Sequence, residues 1–195
     1  LTIDKNDYSN NVLDKYNLTS KKYILIGGNS NYYRSDRPNY DAIKYYCELI
    51  NRIKLITKKK IVIYASSQEE IGWLTTISKK VNCLLLSVKN IKWQDAFVLL
   101  SNANLSISGR YHPTLMSLIG GVPSLCISAN HCKMNGIHEM FGLSWDVINS
   151  HEIHLNYDNI VEFIEKFKDD DYYRLISTNI INKYEELKKC CIINT

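Results

Sequence analysis

The residues best suited to chemistry lie in one short stretch, Ser108-Gly109-Arg110-Tyr111-His112-Pro113, and in Lys133, which follows the next apolar run. An arginine presents a planar fork that fits carboxylate or phosphate oxygens, and a histidine and a lysine add further donors. Proline favours the start of a helix and disfavours helix at the residue before it, so His112 is expected at the mouth of a helix over 114–119. The first free N–H groups of that helix, with its positive dipole end, favour an anion beside Arg110 and His112. Gly120-Gly121-Val122-Pro123 then stops the helix and leads into another apolar run, whose far end delivers Lys133. If the two runs are parallel neighbours, the three cations converge on a small, multiply charged ligand such as a phosphorylated metabolite.

The elements that must position these residues are legible as alternating patterns. Short apolar runs at 23–27, 60–65, 83–88, 105–108, 124–128 and 152–155 read as strands, and amphipathic segments at 40–56, 69–80, 93–102, 114–119, 137–141, 159–168 and 172–189 read as helices. Repeated βα units of this kind give a doubly wound α/β fold, Rossmann-like, with a mainly parallel sheet covered by helices on both faces. In such sheets ligands bind beyond the carboxyl ends of the strands, where the Arg110 loop is expected. Residues 1–20 read as a polar connector with one short helix around Val12, Leu13 and Tyr16, and residues 21–195 as a single Rossmann-like domain.

Composition removes several classes. With 195 residues and 45% hydrophobic side chains the chain can bury one sizeable core. The net charge of +4 comes from 24 basic and 20 acidic side chains spread along the sequence, which is no nucleic-acid footprint. Lys58-Lys59-Lys60 is the one tight basic run and reads as a solvated turn before a strand. No stretch has the length and apolarity of a membrane span. The six cysteines show no CxxC and no zinc spacing, so reduced thiols and a cytoplasmic setting are expected, with Cys83 and Cys126 as small core residues. Neither His131 with His138 nor His151 with His154 has a ligand set around it beyond Cys132, so no metal is expected. Gly27-Gly28 lacks the continuation of a dinucleotide fingerprint and reads as a turn opening the cleft. Arg34 and Arg37 either line that cleft or lie in solvent. Trp93, Tyr111 and Trp145 read as packing residues, with Tyr111 and Trp145 also able to flank a sugar ring.

Residues 102–142, with Ser-Gly-Arg-Tyr-His, then Gly-Gly-Val-Pro-Ser-Leu-Cys-Ile-Ser, then Lys133 and Phe141-Gly142-Leu143, resemble the polysaccharide pyruvyl transferases. That family carries an Arg-Leu-His motif at a strand end, a Gly-Val-Pro turn and a lysine after the next strand. Tyr111 stands where the family has leucine, and the loop before Lys133 is slightly longer. Elsewhere only the order of elements agrees. The resemblance implies the C-terminal half of a two-domain enzyme of the GT-B class, with an N-terminal half outside this sequence. It implies transfer of the pyruvyl group of phosphoenolpyruvate onto two hydroxyls of a sugar or glycan, with phosphoenolpyruvate as donor substrate and no cofactor. On this resemblance Arg110, His112 and Lys133, helped by the Tyr111 backbone, hold the carboxylate and phosphate of phosphoenolpyruvate. Glu69 and Glu70 are candidates for contacting the sugar acceptor, or are simply first-turn helix charges. The general acid would come from the missing half. Two other readings stay open: a glycosyltransferase domain binding a nucleotide sugar, and a non-catalytic anion- or sugar-binding domain.

Overall fold

The computed structural model describes residues 11–33, 41–129 and 132–193. Arg34, Arg37 and His131, together with the first half of the expected connector, lie outside the described residues. Five strands form one sheet: β1 (Tyr23–Asn29), β2 (Lys60–Ala65), β3 (Leu84–Ser87), β4 (Leu105–Gly109) and β5 (Ser124–Cys126). Their spatial order is β3-β2-β1-β4-β5, and every pairing is parallel. The order reverses direction at β1 and β4, which makes the carboxyl ends of these two strands the switch point of a doubly wound sheet.

The residues of each strand explain its two-sided burial. Ile24 and Ile26 of β1, with Ile61 and Ile63 of β2, face one core with α2 (Ala42–Ile56), α3 (Gln68–Val81) and α7 (Tyr157–Lys166). Tyr23 and Leu25, with Val62 and Tyr64, face the other core with α1 (Asn11–Lys15) and α4 (Trp93–Ser101). The strand period of two therefore sorts one continuous apolar run into two helix-covered faces. A third cluster joins Cys126 to α5 (Tyr111–Ile119), α6 (Lys133–Met140) and Ile180 and Tyr184 of α8 (Asp170–Ile193). In α1, Val12 and Leu13 are buried, so part of the segment expected to be a connector packs against α4. No helix among the described residues is long and apolar enough to cross a membrane.

The expected sixth strand at 152–155 is instead part of a 3-10 turn, Ser150–Leu155, in which Ile153 is the buried apolar residue and Leu155 is 71% exposed. The run Glu152-Ile153-His154-Leu155 alternates polar and apolar, but the Asn149 side chain accepts from the His151 N–H and starts a turn in which only Ile153 of the two apolar residues turns inward. The neighbouring chain comes close to a strand only at Ile148, which bridges Ile127.

The thiols divide by environment. Cys126 is buried, and burial pushes its thiol up to about 12, while Cys47 and Cys83 are half-buried and raised by the same cause. Cys132 is exposed. Brief alkylation of the native chain at neutral pH is expected to modify Cys132 and spare Cys126 until denaturant is added. Peptide mass spectrometry reads the order, and early labelling of Cys126 would contradict this packing.

Candidate functional site

Beyond the carboxyl ends of β1, β2 and β4 lies a cavity of about 340 Å³. Ser30 follows β1, while Ser66 and Ser67 link β2 to α3. Arg110, Tyr111 and His112 line the same space, as does Lys133, the first residue of α6. All four residues that the sequence pattern put together are thus in one cavity. Its size is at the low end of the range of about 300–1,000 Å³ typical of ligand sites.

Proline is not where the sequence placed it. The helix begins at Tyr111 with Arg110 as N-cap, so Pro113 is its third residue and His112 lies within its first turn. The three first-turn positions all precede the first residue that needs an intrahelical N–H bond, so proline is tolerated at the third as well as the first. The N-caps of α3, α5 and α6 are Ser67, Arg110 and Cys132, and none of their side chains caps its own helix. Among the described residues no N-cap side chain therefore covers the starts of these three helices, which meet at the rim of one cavity.

Arg110 is held from behind. Its Nε donates to Glu70 Oε1 at 2.7 Å and its Nη2 to Ser67 Oγ at 3.3 Å. The other carboxylate oxygen of Glu70 accepts from the backbone N–H and the hydroxyl of Ser66, each at 2.9 Å. The Glu70 side chain is fully buried and that of Arg110 is 20% exposed, so the carboxylate orients the fork while one edge faces the cavity. Nη1 makes no hydrogen bond within the described residues, which leaves it to donate to a ligand. The Arg110 backbone N–H donates to Ser108 Oγ at 3.1 Å, which fixes the departure from β4.

This corrects the expectation for Glu70. It does not face an acceptor, because its place on α3 aligns it with Trp73, Leu74, Ile77 and Val81 on the buried stripe. Glu69 is exposed in the same turn and does not line the cavity. No carboxylate among the described residues lines it, so Lys133 and His112 face the space without a competing anion. Glu70 also helps, after burial, to push Tyr64 up to about 12, which keeps that phenol neutral.

Two glycines permit the arrangement by having no side chain. Gly27-Gly28 is no turn but the inside of β1. A Cβ on Gly28 would meet Glu70 Oε1 at 2.2 Å and Trp73 Cζ2 at 3.0 Å. A Cβ on Gly109 would meet the Asn29 Cβ at 2.6 Å, across the register pair Asn29↔Gly109. Sequence reasoning missed the part played by Gly28, Glu70, Ser66 and Ser67 in holding Arg110.

The aromatic residues fall apart as a group. Tyr111 lines the cavity and meets the His112 ring edge to face, with centroids 5.5 Å apart. Trp145 packs instead against Phe163 and Phe167 and donates from Nε1 to the Ser124 carbonyl at 3.0 Å. Trp93 is 51% exposed at the start of α4. A larger cavity, about 450 Å³, lies between the Trp145 segment and α7. Its rim carries Asp146, Glu152 and Glu162, and its polar groups bind one another, as in Lys166 with Glu162 at 2.9 Å and Asn159 with Asn156 at 3.0 Å. That surface is unsuited to an anion. No group of His, Cys, Asp and Glu that could hold a metal occurs among the described residues.

No protein-family model matches the chain, and no curated protein matches it. Among solved structures it is similar to S. aureus MnaA in a co-structure with UDP, with 16% identity and a TM-score of 0.60 over 94% of this chain and 46% of that one. It is similar to the UDP-GlcNAc 2-epimerase of Methanocaldococcus jannaschii in complex with UDP-GlcNAc and UDP, with 14% identity and a TM-score of 0.55 over 85% of this chain and 44% of that one. It is also similar to the C-terminal CMP-Kdo binding domain of WaaA from Acinetobacter baumannii, with 8% identity and a TM-score of 0.54 over 89% of this chain and 94% of that domain. The chain thus spans under half of the first two structures and nearly all of the isolated domain. At these identities the likeness shows a shared doubly wound α/β fold.

Proposed function

We propose that this chain is the donor-binding lobe of a transferase of the polysaccharide pyruvyl transferase kind, holding phosphoenolpyruvate beyond the ends of β1 and β4. The observation that carries this reading is one cavity in which Arg110, oriented from behind by Glu70, gathers with His112 and Lys133 while no carboxylate among the described residues lines the space. A carboxylate and a phosphate on one small molecule match the donors of Arg110, His112 and Lys133 and the N–H groups of the helix starts. In the reaction two sugar hydroxyl oxygens add to C2 of the enolpyruvyl group, the methylene carbon gains one proton, the bond from C2 to the phosphate oxygen breaks, and of the two hydroxyl protons released one balances that gained by carbon and the other leaves with the phosphate. Cations already fixed around the departing phosphate stabilise the charge it develops without having to reorganise. No carboxyl group among the described residues lines the cavity, so a carboxylic acid serving as proton donor would come from a second lobe.

A second reading, a nucleotide-sugar donor, is favoured by the shared fold with structures holding UDP and with a CMP-Kdo binding domain. Calorimetry with phosphoenolpyruvate, a UDP-sugar and inorganic phosphate separates the two. Phosphoenolpyruvate is expected to bind, and Arg110→Ala and Lys133→Ala are each expected to weaken it by about 1.5–3 kcal/mol, the scale of hydrogen bonds to charged groups. Tighter binding of the UDP-sugar would overturn the pyruvyl reading in favour of glycosyl transfer.

A further inference from the structure

A group of lysines unused by the anion cavity gathers at the opposite end of the sheet. In a parallel sheet, strand starts and the ends of the preceding helices point the same way. Lys22 and Lys60 flank the starts of β1 and β2, and the Lys60 backbone N–H donates to the Lys22 carbonyl at 3.3 Å. Lys60 Nζ donates to the Asn17 carbonyl at 2.6 Å, which brings in the end of α1 and Lys15. Lys54, in the last turn of α2, donates to the Val81 carbonyl and so joins the end of α3, where Lys79 and Lys80 lie. Lys58, just before β2, is exposed on the same end.

This charge lacks ion pairs among the described residues. Lys22, Lys54, Lys58, Lys60, Lys79 and Lys80 are all exposed, and none forms an ion pair among the described residues. By contrast Lys166, Lys168 and Lys183 on α7, α8 and the turn between them each pair with a glutamate. Burial first, and then the charge of Lys22, lowers the pKa of Lys59, while Asp170 at the margin acts the other way. Amid these cations Leu55 is 86% exposed, at the end of α2 beside Lys54.

We propose that this lysine face docks on an anionic bilayer, with the ammonium groups against phospholipid headgroups and Leu55 entering the boundary with the acyl chains. Lysine is a compact, mobile point charge that suits a diffuse negative surface, whereas arginine forks are the usual readers of nucleic acid. An exposed leucine between lysines gains from a lipid interface and gains nothing from a sugar-phosphate backbone. Docking by this end leaves the Arg110 cavity, at the other end of the strands, pointing away from the membrane.

Co-sedimentation with vesicles tests this. The chain is expected to sediment with phosphatidylcholine vesicles containing phosphatidylglycerol, to stay free with phosphatidylcholine alone, and to be released by high salt. Lys22→Gln, Lys58→Gln, Lys79→Gln and Lys80→Gln together remove no hydrogen-bonded side chain and should cut the partition coefficient by at least about a hundredfold. Leu55→Ser should cut it about threefold. Lys89→Gln with Lys92→Gln, at the cavity end, should leave it unchanged, and circular dichroism should show every variant folded. Absence of binding to the charged vesicles, a quadruple variant that binds as well as the parent, or tighter binding to duplex DNA than to vesicles would each overturn the proposal. Because the two ends are separate, ligand titration of the quadruple variant should match the parent, so failure here is distinct from failure of the donor-binding reading.

Discussion

Replacing Glu70 with alanine is expected to lower the stability of the chain by about 3 kcal/mol in urea unfolding, the lower end of what breaking a buried ion pair costs. The lower end applies because Arg110 is 20% exposed and keeps some access to water once its partner is gone. Glu70→Ala also strands the Ser66 backbone N–H and leaves a cavity beside Gly28 and Trp73. Arg110→Ala should cost less in stability, since the carboxylate it abandons still accepts two hydrogen bonds from Ser66. The double variant should fall well short of the sum of the two, because each single change already breaks the same bond. In ligand titrations Glu70→Ala should weaken phosphoenolpyruvate although Glu70 does not line the cavity, by freeing the guanidinium to swing. A loss of stability under 1 kcal/mol would show the pair to be incidental, as exposed pairs commonly are.

Most of the scaffold was legible because the two structural periods differ so much in this chain. Ile24, Leu25 and Ile26 are buried on alternate faces, and 46, 49, 50 and 53 recur at helical spacing, so β1 and α2 fall within a few residues of where the sequence places them. The cationic loop was legible because Arg110, His112 and Lys133 need only a strand end and a parallel neighbour to meet. What was not legible is what holds them. Glu69 and Glu70 look alike as first-turn acids, yet counting back from Trp73, Leu74 and Ile77 puts position 70 on the buried stripe and 69 off it. A carboxylate on an apolar stripe signals a buried partner, and that signal was present in the spacing. Gly28 carried no such signal: its use depends on how closely α3 approaches β1, a tertiary distance that no local pattern encodes. The 152–155 run misled because Glu152-Ile153-His154-Leu155 alternates polar and apolar as a strand does, while in the fold Asn149 starts a 3-10 turn there and only Ile153 of the two apolar residues is buried.

The close approach at Gly28 gives the second large effect. Gly28→Ala should cost about 1–3 kcal/mol, the range for overpacking a filled core, and should weaken ligand binding at the same time. The added methyl has nowhere to go: it would stand 2.2 Å from Glu70 Oε1 and 2.9 Å from the Glu70 carboxyl carbon, next to the end of β1, where the register with β4 shifts between Ile26 and Asn29. The strand is pinned on either side of Gly28 by the pairs Gly27↔Tyr64 and Asn29↔Gly109, so the carboxylate is the part expected to move, and Arg110 with it. The test is an inversion of the usual additivity. In a Glu70→Ala background the carboxylate is absent and the new methyl partly fills the space it left, so Gly28→Ala should cost far less there than in the parent, with only the Trp73 contact at 3.0 Å still to be relieved. Equal costs in the two backgrounds, read by urea unfolding, would mean that Gly28 is required for β1 itself and not for the carboxylate that sets Arg110.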